Sequence, residues 1–190
     1  MKACESVFTS LPGSLVSSAA AEQDAAFRRS KVRRVLGIDP GLANTGFGVV
    51  EFFCGRYRMV SYGVISTSSE SSRQERLLTL YNRLCAVIDE FKPEESAMET
   101  LYFARNVTSA MGVAEARGVV TLCLAQHCIP LSEYTPNQIK QAVTGTASSD
   151  KRLVEKYVQI LLALEVPPKP DHAADALAGA ITHLHYVPCG

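Results

Sequence analysis

The chain predicts an α/β fold, a mixed five-stranded sheet flanked by helices. Three observations carry that expectation. Strand patterns at 33–39, 46–53 and 57–66 follow one another through short turns. From about residue 77 onward, helical stripes alternate with short apolar runs. Two of the apolar runs, 35–38 and 97–98, end on carboxylates, Asp39 and Glu99.

The elements follow in order. Residues 33–39 read as a buried strand, and a glycine-rich turn leads to a second at 46–53. Cys54-Gly55-Arg56 signals a hairpin, and 57–66 alternate apolar and polar as a third strand. Residues 66–72 form a polar loop. Leu77, Leu80, Tyr81, Leu84, Ile88 and Phe91 make a helical stripe that Pro93 stops. A fourth strand is expected at 96–101. A helix at 106–127 has Val107, Met111, Gly118, Val119 and Leu122 in its pattern. A short fifth strand lies at 130–134. Helices at 136–144 and 149–164 are divided by Gly145. Pro167, Pro168 and Pro170 make a stiff linker into a last helix at 171–187. The first three strands should form an antiparallel meander. The later ones, separated by helices, should pair in parallel through right-handed crossovers.

The 190 residues suit one domain with a sizeable core, and 47% of them are apolar. Formal net charge is zero, so charge alone selects no partner. Residues 1–32 are rich in Ala and Ser and read as a flexible extension; the domain spans 33–187. No run approaches the ~20 apolar residues needed to span a bilayer, so no membrane association is expected and the location is read as cytoplasmic. The six cysteines form no CxxC pair. Cys123 and Cys128 fall within one helical pattern, and the thiols read as reduced and buried.

Asp39 sits where an α/β sheet exposes its strand ends, beside the small turn Pro40-Gly41. If the first and fourth strands are parallel neighbours, Glu99 lies beside it. His172 and Asp175 are i and i+3 on the last helix, hence on one face. Alanines at 173, 174, 176, 178 and 180 would let that helix approach the sheet and bring both polar side chains over the strand ends. Three carboxylates and an imidazole suit a hard divalent cation, Mg²⁺ or Mn²⁺. Such a site suits phosphodiester hydrolysis with two ions ~4 Å apart and a metal-activated water. Asp171 reads as a helix cap and not a ligand, and His183 and His185 as surface residues.

Five motifs, in this order, resemble the bacterial Holliday junction resolvase family RuvC. The opening one is Leu36-Gly37-Ile38-Asp39-Pro40-Gly41 with Thr45-Gly46-Phe47-Gly48-Val49-Val50. The second is Met98-Glu99-Thr100-Leu101-Tyr102-Phe103-Ala104-Arg105-Asn106. The third and fourth are Glu115-Ala116-Arg117-Gly118-Val119 and Tyr134-Thr135-Pro136-Asn137-Gln138-Ile139-Lys140-Gln141. The last is Asp171-His172-Ala173-Ala174-Asp175-Ala176-Leu177-Ala178. The resemblance implies a ribonuclease H-like fold and a homodimer that cuts four-way DNA junctions by paired symmetrical nicks. It implies Mg²⁺, two ions per subunit, with Mn²⁺ able to substitute, and contact with the RuvA–RuvB branch-migration complex. It places Asp39, Glu99 and Asp175 at the family's carboxylate positions. His172 stands where many members carry Asp, so this chain should favour Mn²⁺ more than they do. Lys140 and Lys151 match lysines near the junction backbone. Tyr102 aligns with an aromatic that acts on an unstacked base, and Arg105 and Arg117 are further phosphate candidates.

Three other classes compete. A phosphate-binding ATPase of the actin and sugar-kinase type also opens on an Asp-ending strand, but needs two lobes and a second glycine-rich turn. An RNA-processing nuclease would share the acidic site. A non-catalytic junction-binding module would not need it.

Overall fold

Strands β1 (Arg33–Asp39), β2 (Asn44–Phe53) and β3 (Arg56–Ser66) form an antiparallel meander. β4 (Glu95–Glu99) pairs in parallel with β1, and β5 (Leu131–Tyr134) in parallel with β4. The resulting five-stranded sheet has the order β3-β2-β1-β4-β5. This computed structural model describes residues 32–100 and 107–187. The expected extension at 1–32 therefore lies outside the described residues except for Val32, as do Tyr102 and Arg105.

Alternation along the strands builds two cores. Leu36, Ile38, Val49, Ile65 and Met98 face α1 (Arg73–Phe91) and α2 (Val107–Gln126). Val35, Val50 and Ala97 face the opposite way. They meet α3 (Pro136–Thr144), α4 (Lys151–Leu161) and α5 (Asp171–Tyr186). α1 opens on a reciprocal box between Ser72 and Glu75 and ends at Lys92, whose φ of 47° turns the chain ahead of Pro93.

Several local expectations change. β2 starts at Asn44, two residues before the expected strand. α4 is shorter than 149–164: the Asp150 carboxylate caps it, accepting from the Leu153 N–H at 2.8 Å, and Ala163, at φ 50°, turns the chain beyond its end. On α2 the buried stripe is Ala116, Val120, Cys123 and Leu124, whereas Met111 and Leu122 are 52% and 55% exposed. Apolar residues occur on both sides of that helix, so its periodicity could not single out the inner one. Cys128 lies past the helix end in a left-handed turn and is exposed, not buried within the helical pattern.

α5 is the central helix. Nine small or apolar residues from Ala173 to Leu184, with Thr182 and His183, are buried. It lies so close to the sheet that a Cβ on Gly37 would fall 1.8 Å from the Ala176 carbonyl oxygen. One on Gly46 would fall 2.0 Å from that of His172.

His183 is not a surface residue. It is 4% exposed, with Nε2 2.7 Å from a Glu95 carboxylate oxygen and Nδ1 2.9 Å from the Tyr134 hydroxyl. Arg33 donates to the same carboxylate through Nε at 2.8 Å and Nη2 at 2.6 Å. The Arg33 guanidinium, aided by His183 and opposed by partial burial, holds Glu95 down at about 2 against an ordinary 4.5. A depressed carboxylate stabilises the fold above its unfolded value and loses that contribution as pH falls through the folded value. Glu95→Gln should therefore cost roughly 2 kcal/mol near neutral pH, after allowance for solvent screening. The difference from the parent protein should shrink toward zero near about pH 2. Urea unfolding of both proteins at the two pH values checks this; a cost independent of pH would contradict it.

Candidate active site

Asp39 and Glu99 become neighbours through strand register. Ile38 pairs with Met98 in the parallel β1–β4 ladder, and each carboxylate follows one residue later. On its other side Asp39 pairs with Gly46 of β2. Gly46 has no side chain, so the first turn of α5 rests on β2 with the His172 backbone against it. That contact places His172 over β1, with Nδ1 2.6 Å from Asp39 Oδ2. An ionised carboxylate can only accept, so Nδ1 carries the proton; when the ring is neutral, Nε2 keeps its lone pair. The turn after Asp39 is held by the buried Thr45 hydroxyl, which donates to the Gly41 carbonyl at 2.7 Å.

Two adjoining clefts meet at Glu99. One, of about 240 Å³, is lined by Asp39, Pro40, Glu99, Thr100, Val113, Arg117 and Pro136. The other, of about 260 Å³, includes Glu99, Lys140, Lys151 and Asp175. Lys151 Nζ lies 3.1 Å from Asp175 and 3.2 Å from Asp171. Asp171 is thus an ion-pair partner and not the expected cap; Pro170 occupies the capping position and no side chain caps the helix. Arg117 is committed elsewhere. Its guanidinium donates to the Glu99 carbonyl and, at 2.6 Å, to Glu133 on β5. It braces the strand end that carries Glu99. The sequence carried no signal for Glu133, because its partner Arg117 comes near only in the fold; Thr45, in the opening motif, acts on Gly41 four residues back.

Charge in these clefts is unbalanced. Burial pushes the Glu99 carboxyl up, and the charges of Asp39 and Asp175 add to it, against partial relief from Arg117 and Lys140. Burial also raises Asp175, with Asp39 and Asp171 adding, although Lys151 opposes. Lys151 is raised in turn: desolvation works against its charged form, but Asp175 and Asp171 outweigh it. A raised carboxylate destabilises the fold once pH climbs past its unfolded value, because the buried form must then ionise.

Without metal at neutral pH, Glu99→Gln should therefore stabilise the protein by ~0.5–1 kcal/mol. Added Mg²⁺ should raise the melting temperature of the parent protein more than that of the variant. Thermal melts with chelator and with Mg²⁺ check both signs; a less stable metal-free variant would contradict the repulsion.

The donors fit a hard cation: carboxylate oxygens, repelling one another, at an accessible strand end. They are also spread out. Among the described residues, the group of three whose ligand atoms all lie within 4.8 Å of one another is a different one, Cys85, Cys123 and His127.

A five-stranded mixed sheet of this order with helices on both faces defines the ribonuclease H-like fold class, and its central strands β1 and β4 end on carboxylates. The family model described as crossover junction endodeoxyribonuclease RuvC matches residues 35–183. A RuvC of Treponema denticola is 52% identical over 151 residues, covering 80% of this chain and 85% of the relative. The structure of T. thermophilus RuvC in complex with a Holliday junction substrate superimposes with a TM-score of 0.78 at 35% identity. That match covers 81% of this chain and 94% of the other. The chain belongs to the RuvC family of crossover junction endodeoxyribonucleases. The yeast mitochondrial Holliday junction resolvase, at 15% identity and a TM-score of 0.59, shares the fold.

Proposed function

We propose that the protein resolves four-way DNA junctions by Mg²⁺-dependent paired nicking as a homodimer. The reading is supported by two adjoining clefts, one lined by Asp39 and Glu99 and the other by Glu99 and Asp175 beside Lys140 and Lys151, with His172 paired to Asp39. Asp39, Glu99 and Asp175 would hold the ions. Mg²⁺ held there would supply Lewis acidity toward an attacking water and the leaving oxygen. His172, oriented by Asp39, presents Nε2 as a ligand or proton acceptor, which is why Mn²⁺ should serve well. Lys140 and Lys151 lie where phosphate oxygens would approach and would make binding salt-dependent. Tyr102 is proposed to stack on an unpaired base, Arg105 to meet phosphate, and Arg117 to brace Glu99.

The dimer is supported by the outer side of α2. Met111 and Leu122 are largely exposed there, with Ala114 and Gly118 between them. A two-fold pair of subunits would place one site on each of two opposed strands of a junction. Leu122→Glu should shift the protein toward monomer in sedimentation and convert paired nicks to slow single ones. Contact with RuvA–RuvB is proposed on family grounds. Among the described residues no helix is long and apolar enough to cross a membrane, and action on chromosomal DNA implies the cytoplasm.

A synthetic junction assayed with Mg²⁺ and with Mn²⁺ tests the whole reading. Symmetrical ligatable nicks, absent on duplex DNA and on structured RNA, are expected. Preferential RNA cleavage, or ATP hydrolysis without DNA, would overturn it.

A further inference from the structure

A second group of ligand-type side chains lies on the α1–α2 layer, away from the acidic clefts. Cys85 of α1 and Cys123 of α2 face each other with their sulfurs 3.3 Å apart. His127, just past the end of α2, has Nδ1 4.0 Å from the Cys123 sulfur. One ligand atom from each of the three residues lies within 4.8 Å of the others. Val113 lines the acidic cleft, and Cys123 comes ten residues later on the same helix, ~15 Å along its axis. The two sites are therefore separate.

The arrangement has the features of a built site. Cys123 and His127 are i and i+4 across the end of α2, and Cys85 and Asp89 are i and i+4 on one face of α1. Asp89 is close enough for its charge to act on both Cys123 and His127, although its carboxylate also holds Lys92 at 2.9 Å. His127 Nδ1 lies 2.7 Å from the Cys123 carbonyl oxygen. A carbonyl can only accept, so donation by Nδ1 would fix the ring, and in its neutral form Nε2 would keep its lone pair, the way metal-binding histidines are oriented by a backbone carbonyl. Cys123 is fully buried in the core, while Cys85 and His127 are half-buried, so an ion can reach the group from solvent. Burial first, and then the Cys85 thiol, push the Cys123 thiol up to about 12. Without a cation the buried sulfur stays a neutral thiol.

Two sulfurs and an imidazole are soft to borderline donors. They select against Mg²⁺, which wants oxygen, and suit a four-coordinate Zn²⁺-type ion. We propose that Cys85, Cys123 and His127 bind one thiophilic divalent cation of the Zn²⁺ class, with Asp89 or water in the fourth position, clipping α1 to α2. The clip would anchor the far end of the helix whose Arg117 braces Glu99. It does not depend on the nuclease reading, because its test uses no DNA.

Co²⁺ is the probe, added to the reduced, chelator-treated full chain in excess Mg²⁺. A thiolate-to-cobalt charge-transfer band with the visible bands of a tetrahedral site should saturate at one equivalent, and Zn²⁺ should bleach it. Zn²⁺ in hundredfold excess over its dissociation constant should raise the melting temperature by about 5–10 °C. Cys85→Ser and His127→Ala, both at half-buried positions, should remove the band and the thermal shift while keeping the circular dichroism of the parent. Serine variants of Cys4, Cys54, Cys128 and Cys189 should keep both. The proposal is overturned if the band survives in Cys85→Ser, or if it vanishes only with Cys128→Ser. It is equally overturned if the reduced protein gives no charge-transfer band and air instead consumes the two thiols as a Cys85–Cys123 disulfide.

Discussion

Asp39→Asn should reduce junction nicking by roughly 10³-fold or more while leaving junction binding within about threefold. The magnitude follows from the chemistry assigned to the site. Lewis-acid stabilisation by a bound metal is worth several kcal/mol, and ~4 kcal/mol corresponds to ~10³ in rate. The asparagine is nearly isosteric and keeps an oxygen acceptor for the His172 Nδ1–H, now 2.6 Å from the carboxylate. The ring should therefore stay in place, and what is removed is one negative charge beside Glu99 and Asp175. Losing that charge weakens cation binding but does not weaken contact with a polyanion. Gel shifts in chelator and nicking in Mg²⁺, on the same synthetic junction, separate the two effects. Nicking within tenfold of the parent enzyme would remove Asp39 from the catalytic set.

Gly37→Ala should destabilise the protein by about 3–5 kcal/mol, lowering the melting temperature by about 10 °C. The new Cβ would lie 1.8 Å from the Ala176 carbonyl oxygen, 2.8 Å from the Ala180 nitrogen and 2.9 Å from the Ala176 carbonyl carbon. All three are backbone atoms, so no side-chain rotation gives relief; α5 has to lift away from β1. Asp175 precedes Ala176 and would move with it, so nicking should fall beyond the loss caused by instability. Gly179→Ala on the same helix is the control. Its Cβ would meet only the Ala97 oxygen, at 4.0 Å, and alanine favours a helix interior by up to ~1 kcal/mol. A Gly37 variant as stable as the Gly179 variant would mean that the close approach of α5 to the sheet is not what organises the site.

Much of this arrangement was legible in the order of residues. Carboxylates ending two apolar runs marked strand ends, and the alanines of α5 marked a helix able to lie close to a sheet. Those are local patterns, each with a period the chain displays. The misreadings share a different cause. His183 reads as a surface histidine on α5, yet it is buried because Glu95 and Tyr134, from two strands, satisfy both ring nitrogens. Asp171 looks like a cap until Lys151, from another helix, takes its carboxylate. Met111 and Leu122 fit a helical stripe, but α2 turns a different stripe inward. Cys85 and Cys123 look like unrelated thiols until α1 and α2 pack.

By itself, then, the sequence determined which segments became strands and helices, and which side chains could carry acid, metal or phosphate chemistry. Those properties depend on residue type and short-range spacing. Only the tertiary structure decided that Asp39 stands beside Glu99, that His172 reaches Asp39 across a glycine, and that two thiols and an imidazole share a point between helices. Such distances depend on ladder register and on how closely helix and sheet approach, and both are set by packing among residues far apart along the chain.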